Sequence, residues 1–271
     1  MKHPSETQSP PAGPGRLIGP AFTDVAGDPG TRPQFERLCS RYRWVSGYCD
    51  GRDVVEVACG SGQGLGLLGR HSRRMIGCDY SPENLAIAQR TYRDRVPLVR
   101  LDAHHLPLRS ASVDVVLLLE TLYFLPSPEA FVAEAARALR PGGYLLISVI
   151  NKDCWDFNPS PLYPAFFGAA EVGALLARHR FAVECFGTFP LDRPTLRQRF
   201  FHPFKRLAIS LNLIPTTVQA RKWLKRIAIG KLVPLPYEIL PDSAPYREPA
   251  PVAADRPDPV HQVVLAAGRL A

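Results

Sequence analysis

Val54-Val-Glu56-Val-Ala58-Cys-Gly60-Ser-Gly62-Gln-Gly64 is the stretch on which the fold turns. Its first half is a short apolar run of the kind that forms a buried parallel strand. Its second half sets three glycines within five residues. Glycine lets the backbone approach a ligand closely, and at a strand-to-helix turn the free N–H groups face outward. Alone, the stretch implies either a nucleotide-like ligand at the carboxyl end of a parallel strand, or a tight turn that needs glycine for its geometry.

Outward from it, strand and helix patterns alternate. Upstream, Phe35, Leu38, Tyr42 and Val45 recur at steps of three or four and predict a helix over 33–50. Downstream, a helix-like run reaches Arg70 and Met75 to Asp79 reads as the second strand. Ser81-Pro82-Glu83 opens a helix, with Ser81 as N-cap and Pro82 at its first position. Leu98 to Asp102 and Val113 to Leu119 follow as the third and fourth strands. Ser127-Pro128-Glu129 starts a further helix, which Gly142-Gly143 ends, and Tyr144 to Ile150 is the fifth strand. After a helix near 171–178, Phe181 to Phe189 and Val260 to Ala267 read as the sixth and seventh. Strands separated by helix-length segments pair in parallel through right-handed crossovers, so a doubly wound α/β sheet with helices on both faces is expected.

Two segments stand outside this alternation. Residues 1–32 are rich in Pro and Gly and read as a flexible arm, because both residues oppose helix and strand. Residues 191–259 read as an insertion, basic and amphipathic at first and Pro-rich towards the end, which divides a core of 33–190 and 260–271. From Leu191 to Leu240 there are ten Lys or Arg against two acids, Asp192 and Glu238. That segment holds much of the basicity behind the net charge of +8. It has three possible readings: a helical lid with solvated lysines, peripheral contact with anionic membrane and a lipophilic acceptor, or nucleic-acid binding. No recognised DNA- or RNA-binding motif supports the last, and Pro203 and Pro215 interrupt any long basic helix.

The chain opens with no apolar signal region, and no run reaches the roughly 18 apolar residues of a membrane span. The six cysteines contain no C-x-x-C pair or His-bracketed set, so free thiols in a reducing compartment are expected, with no metal site. The cytoplasm is the expected location, with the membrane surface open to the basic insertion.

Asp79 closes the second strand nineteen residues after Gly60, where a carboxylate can accept from both ribose hydroxyls. That feature suits NAD as well, and an oxidoreductase is the rival at this point. Gly64-Leu-Gly66-Leu-Leu-Gly69 matches the dinucleotide fingerprint by letter, but it begins inside the helix rather than at the turn. The order of the motifs downstream of Asp79 separates the two: Leu101-Asp102-Ala103 with Leu106-Pro107-Leu108, then Ser112-Val-Asp114 leading the fourth strand, then Leu139-Arg140-Pro141-Gly142-Gly143 before the fifth. Together these motifs resemble the class I, Rossmann-like S-adenosylmethionine-dependent methyltransferases. No Tyr-x-x-x-Lys pair, which a short-chain dehydrogenase needs, occurs in the chain.

The resemblance implies a mostly parallel seven-stranded sheet whose last strand is antiparallel, with S-adenosyl-L-methionine as cofactor and a small-molecule acceptor. On this chain it implies that Gly60, Ser61 and Gly62 pass the methionine portion and that Asp79 takes the ribose diol with Tyr80 beside the adenine. It further implies that Asp102 meets the adenine amino group, that Ala103 offers its N–H, and that Glu120 lies near the amino-acid end. Glu56 stands at the acidic position beneath the loop, where a structural hydrogen bond is the alternative to cofactor contact. Ala58 replaces the first glycine of many relatives. Tyr123, the loop 151–155 and His202 are candidates to face the acceptor. The reaction expected is O-methylation in secondary metabolism or of a glycan- or lipid-linked intermediate; a non-catalytic protein on the same fold is the remaining alternative.

Overall fold

The computed structural model describes residues 24–159, 163–192 and 232–271. In chain order its elements are β1 (Pro29–Gly30), α1 (Arg32–Ser46), β2 (Asp53–Val57), α2 (Leu65–His71), β3 (Arg74–Asp79), α3 (Pro82–Tyr92), β4 (Leu98–Arg100) and β5 (Val113–Leu119). Then come α4 (Pro128–Ala138), β6 (Leu139–Ile150), α5 (Ala169–Arg178), β7 (Phe181–Pro190), β8 (Val233–Pro234), β9 (Ala250–Val252) and β10 (His261–Leu270).

Helix starts follow the capping chemistry in the sequence. Ser81 accepts from the Asn84 N–H and Ser127 from the Ala130 N–H, each followed by proline. Thr31 and Gln34 form a reciprocal capping box at the start of α1. The end of α4 differs from expectation. The helix stops at Ala138, and Leu139 already begins β6, which carries Gly142-Gly143 within the strand.

The main sheet has the order β4-β3-β2-β5-β6-β10-β7-β9. Strands β4, β3, β2, β5 and β6 are parallel, and β10 runs antiparallel between β6 and β7. All seven expected strands are present. An eighth, β9, pairs antiparallel with β7 at the edge. Three residues containing Pro251 give no readable period, and an edge is where a strand tolerates proline.

The central strand shows why the sheet is covered on both sides. In β5, Val116 and Leu118 belong to one core cluster, and Val115, Leu117 and Leu119 to the other. The first cluster packs under α4 and α5; the second packs under α1, α2 and α3. At the N-terminal edge of the sheet, Asp53 accepts from Arg73, Arg74 and Arg140, which holds its carboxyl far below the ordinary range. The opposite edge carries the site.

The last residues of the Pro/Gly-rich arm, 24–31, pack on the core. β1 pairs antiparallel with β8, and backbone bonds join Gly27 N–H to the Leu235 carbonyl and Leu235 N–H to the Asp28 carbonyl. The Ile239 N–H donates to the Gln63 carbonyl, and Glu238 takes Arg70 and Arg95. The two segments thus form a clasp over α2 and the glycine loop. Of the expected helical insertion, 191–259, residues 193–231 lie outside the described residues; 232–259 contains two short strands and no helix. Among the described residues no helix is long and apolar enough to cross a membrane.

Candidate functional site

The strand order changes direction between β2 and β5, and a doubly wound sheet opens its ligand crevice at that place. Both strands end there in a strained turn. Ala58 after β2 has φ 58° and Glu120 after β5 has φ 53°, left-handed values that cost a side-chain-bearing residue about 1–2 kcal/mol. Ala58 therefore adopts a left-handed conformation that glycine takes without cost.

Between Ala58 and α2 the loop is shaped by close approaches. A Cβ on Gly64 would come within 1.9 Å of the Tyr42 ring, so α1 can lie against the loop only because that residue is glycine. Gly60, at φ 59°, is the opposite case: a Cβ built on it meets nothing within 4 Å. The loop backbone is thus open on one side at Gly60, which leaves room for a ligand. Ser61 faces the clasp, where its Oγ accepts from the Ala26 N–H at 2.9 Å.

Asp79, at the end of β3, is buried and held by three donors. Its Oδ2 accepts from the Gly60 N–H at 2.8 Å, and its Oδ1 accepts from the Ser81 N–H at 2.8 Å and from the Asn84 amide at 3.5 Å. Burial raises its pKa, opposed by those bonds. Beside it Tyr80 is exposed, with the Arg100 guanidinium 5.7 Å from its ring centre. Asp102, after β4, is half-exposed, and both of its bonds, from the His104 N–H and from His104 Nδ1, fall on Oδ1. The His104 N–H bond leads the effects that lower its pKa. Ala103 beside it is buried.

Glu56 lies under the loop at 1 % exposure. Its Oε1 accepts from the Tyr42 hydroxyl at 2.6 Å, while Oε2 has no partner among the described residues. Burial pushes its pKa up to about 7. Gln63 Nε2 is likewise buried and unpartnered among the described residues. Each Glu120 oxygen has a donor: the Ser148 hydroxyl donates to Oε1 at 2.6 Å and the Tyr123 hydroxyl to Oε2 at 2.9 Å.

Tyr123 is buried, and burial followed by the nearby Glu120 raises its pKa well above 10. As it stands, its phenol is a proton donor. Its ring stacks with Phe124 and Tyr163, and Tyr163 continues to Phe166 and Phe157, so a run of aromatic rings leaves the crevice. The loop 151–155 is anchored elsewhere: Asn151 donates to the carbonyls of Asp258 and His261, and Trp155 Nε1 to that of Asp192. His202 lies outside the described residues.

The structure thus brings Glu56, Ala58, Gly60, Ser61, Gly62, Asp79 and Glu120 to one crevice, with Tyr80, Asp102 and Ala103 following along the edge towards β4. Sequence reasoning missed the contribution of α1. Gln34 donates to Asp24, Arg37 to Gln262 at 3.3 Å, and Arg41 lies in the field of Glu120. Their spacing of three and four residues was the available signal, a polar stripe on a helix that carries other charged residues as well.

Residues 55–147, from β2 into β6, match the family model described as "Methyltransferase domain". This segment is a class I, S-adenosylmethionine-dependent methyltransferase domain. Over 147 residues the chain is 37% identical to a Mycolicibacterium smegmatis protein described as "Probable S-adenosylmethionine-dependent methyltransferase", covering 53% of this chain and 57% of that one. It is 40% identical over 113 residues to "Phthiotriol/phenolphthiotriol dimycocerosates methyltransferase 1" of Mycobacterium ulcerans, covering 41% and 39%. The matched region is therefore about half the length of the first relative. The fold is that of a methyltransferase from Archaeoglobus fulgidus, with a TM-score of 0.55 at 15% identity, covering 87% of this chain and 94% of that one. The methyltransferase domain includes Glu56, the glycine loop, Asp79, Asp102 and Glu120, and leaves α1, the clasp and β10 outside the matched residues.

Proposed function

We propose that the protein transfers the methyl group of S-adenosylmethionine to an oxygen of a small lipophilic acceptor. The observation that carries the reading is the open face of Gly60 beside the pinned Asp79 carboxylate, inside the methyltransferase domain. The crevice fits this cofactor: it offers room at the loop, a fixed acceptor pair for a diol, and a buried carboxylate oxygen, Glu56 Oε2, that has no donor among the described residues.

Asp79 accepts from the two ribose hydroxyls through the free lone pair of Oδ2 and through the place on Oδ1 that the Asn84 amide approaches only at 3.5 Å. Tyr80 lies along the adenine, Asp102 accepts from its amino group through Oδ2, and Ala103 donates its N–H. Gly60, Ser61 and Gly62 flank the methionine portion, which ends between Glu56 and Glu120. Bound there, S-adenosylmethionine supplies a methyl group already activated on a sulfonium. The protein's part is to fix a line of approach and keep water out. Tyr123, Phe124, Tyr163 and Phe166 provide an apolar wall beside the crevice. In this arrangement the single Tyr123 hydroxyl hydrogen is donated to Glu120 Oε2, so towards an acceptor hydroxyl the phenol oxygen is a hydrogen-bond acceptor that orients it without deprotonating it.

That aromatic wall favours a lipophilic acceptor, as does the likeness to a relative named as a phthiotriol/phenolphthiotriol dimycocerosates methyltransferase. Calorimetric titration tests the cofactor: micromolar binding of S-adenosylmethionine and S-adenosylhomocysteine is expected, with none of NAD. Binding of NAD alone would reverse the reading. The ten basic residues between Leu191 and Leu240 extend it to anionic membrane, where the acceptor would dissolve. Sedimentation with vesicles containing anionic lipid, but not with neutral vesicles, is the expected result; equal recovery with both removes the membrane from the proposal.

A further inference from the structure

The polar stripe of α1 holds one group that nothing among the described residues satisfies. Gln34 and Arg37 have partners in Asp24 and Gln262. Arg41, one turn further on, has only the ring of Tyr42, centred 5.9 Å from its guanidinium carbon: its Nε is sealed from solvent without a hydrogen-bond partner, and no carboxylate comes within ion-pair distance among the described residues. Burial works against its charge, yet Glu120, then Tyr42 and Asp24, hold its pKa above the ordinary value. Glu120 acts on it through charge alone: its oxygens accept the Tyr123 and Ser148 hydroxyls, and neither comes within ion-pair distance of Arg41 among the described residues. A charged planar fork is therefore held at the crevice between β2 and β5 with donors to spare, and a carboxylate is the group whose geometry answers it.

We infer that Arg41 binds the α-carboxylate of S-adenosylmethionine, an inference that rests on the cofactor reading above. The direction of the ligand along the sheet edge supports it. With adenine at Tyr80 and Asp102 and the ribose on Asp79, the molecule crosses from β4 and β3 towards β2 and β5. Its amino-acid end then arrives near Glu56 and Glu120, the two acids whose charges interact with Arg41. The ligand's single anionic group meets the cation of α1, and its ammonium and sulfonium meet the two acids. Charges so matched across a water-poor crevice orient the ligand as well as bind it.

The test compares S-adenosylmethionine with decarboxylated S-adenosylmethionine, which keeps the sulfonium and the amine. Wild-type protein is expected to bind the first more tightly. Arg41→Gln should weaken S-adenosylmethionine roughly tenfold to a hundredfold, as for loss of a charge-assisted pair, and change the decarboxylated ligand less than about threefold. Arg41→Lys, which keeps the charge without the fork, should fall between. Adenosine binding by the variants reports whether the loop and Asp79 remain in place. An equal loss for both ligands would make Arg41 a structural brace of α1 and overturn the inference, as would unchanged binding of both. Wild-type protein that binds neither ligand removes the cofactor reading itself, a separate outcome from failure at Arg41.

Discussion

Asp79→Ala is expected to weaken binding of S-adenosylmethionine by roughly 10²- to 10⁴-fold, because it removes two hydrogen bonds to a charged acceptor, each worth about 1.5–3 kcal/mol. The expectation follows from how the side chain is held. A buried carboxylate without donors would be costly, and here the Gly60 and Ser81 N–H groups each take one lone pair at 2.8 Å. Those bonds fix the carboxylate plane and leave a lone pair free on Oδ2, while on Oδ1 the second place is taken only by the long 3.5 Å approach of the Asn84 amide, which a ribose hydroxyl would displace. The same bonds make Asp79 a brace between the glycine loop and the start of α3, so the variant should also lose some stability. Asp79→Asn separates the two effects. It keeps an acceptor for one of the backbone donors and loses the second acceptor that a diol requires. An affinity within threefold of wild type in both variants, by calorimetry on protein shown to be folded, would confine Asp79 to bracing the loop.

The parts of this arrangement that the sequence discloses are those governed by short-range rules. Val54 to Gly64, the Ser-Pro-Glu starts of α3 and α4, and the alternating burial of β5 each follow from a local period or a capping residue, and the structure has them within a few residues. The end of α4 departs from the sequence reading because Gly142-Gly143 suits a helix terminus as well as a strand that must approach its neighbour; the Gly143 Cβ position lies 2.9 Å from the Asp114 carbonyl oxygen. The clasp is not readable at all. Its two strands are two residues each, separated by some two hundred in sequence, and Pro-Gly at 29–30 reads locally as a turn. Arg41 shows the same limit at the site. On the helix it is one cation among several; only the burial of its Nε beside β5 sets it apart.

Glu56 carries the second large effect, on stability and its dependence on pH. Its carboxyl is buried under the loop with one oxygen bonded to Tyr42 and the other unpartnered among the described residues, and burial lifts its pKa from 4.5 to about 7. A carboxyl whose folded-state pKa exceeds its unfolded value holds its proton longer in the folded protein. Stability is therefore lost as pH rises from about 4.5 through 7, and above that the folded state bears the full cost of a buried charge. At about 1.4 kcal/mol per unit of displacement, that cost is about 3 kcal/mol. Glu56→Gln removes the titration while keeping an acceptor for the Tyr42 hydroxyl. Measured by urea unfolding of the ligand-free protein, the stability of the variant relative to wild type should shift in its favour by most of that amount between pH 5 and pH 8, then level off. A ligand that brings an ammonium to the free Oε2 pulls in the other direction, favouring the charged carboxylate and releasing its proton. S-adenosylmethionine should accordingly raise the unfolding temperature of wild type more at pH 8 than at pH 6, with the difference lost in the variant. A constant offset between the two proteins across this range would mean that Glu56 is already ionised at pH 5, with a cation or water supplying the bond that its second oxygen lacks.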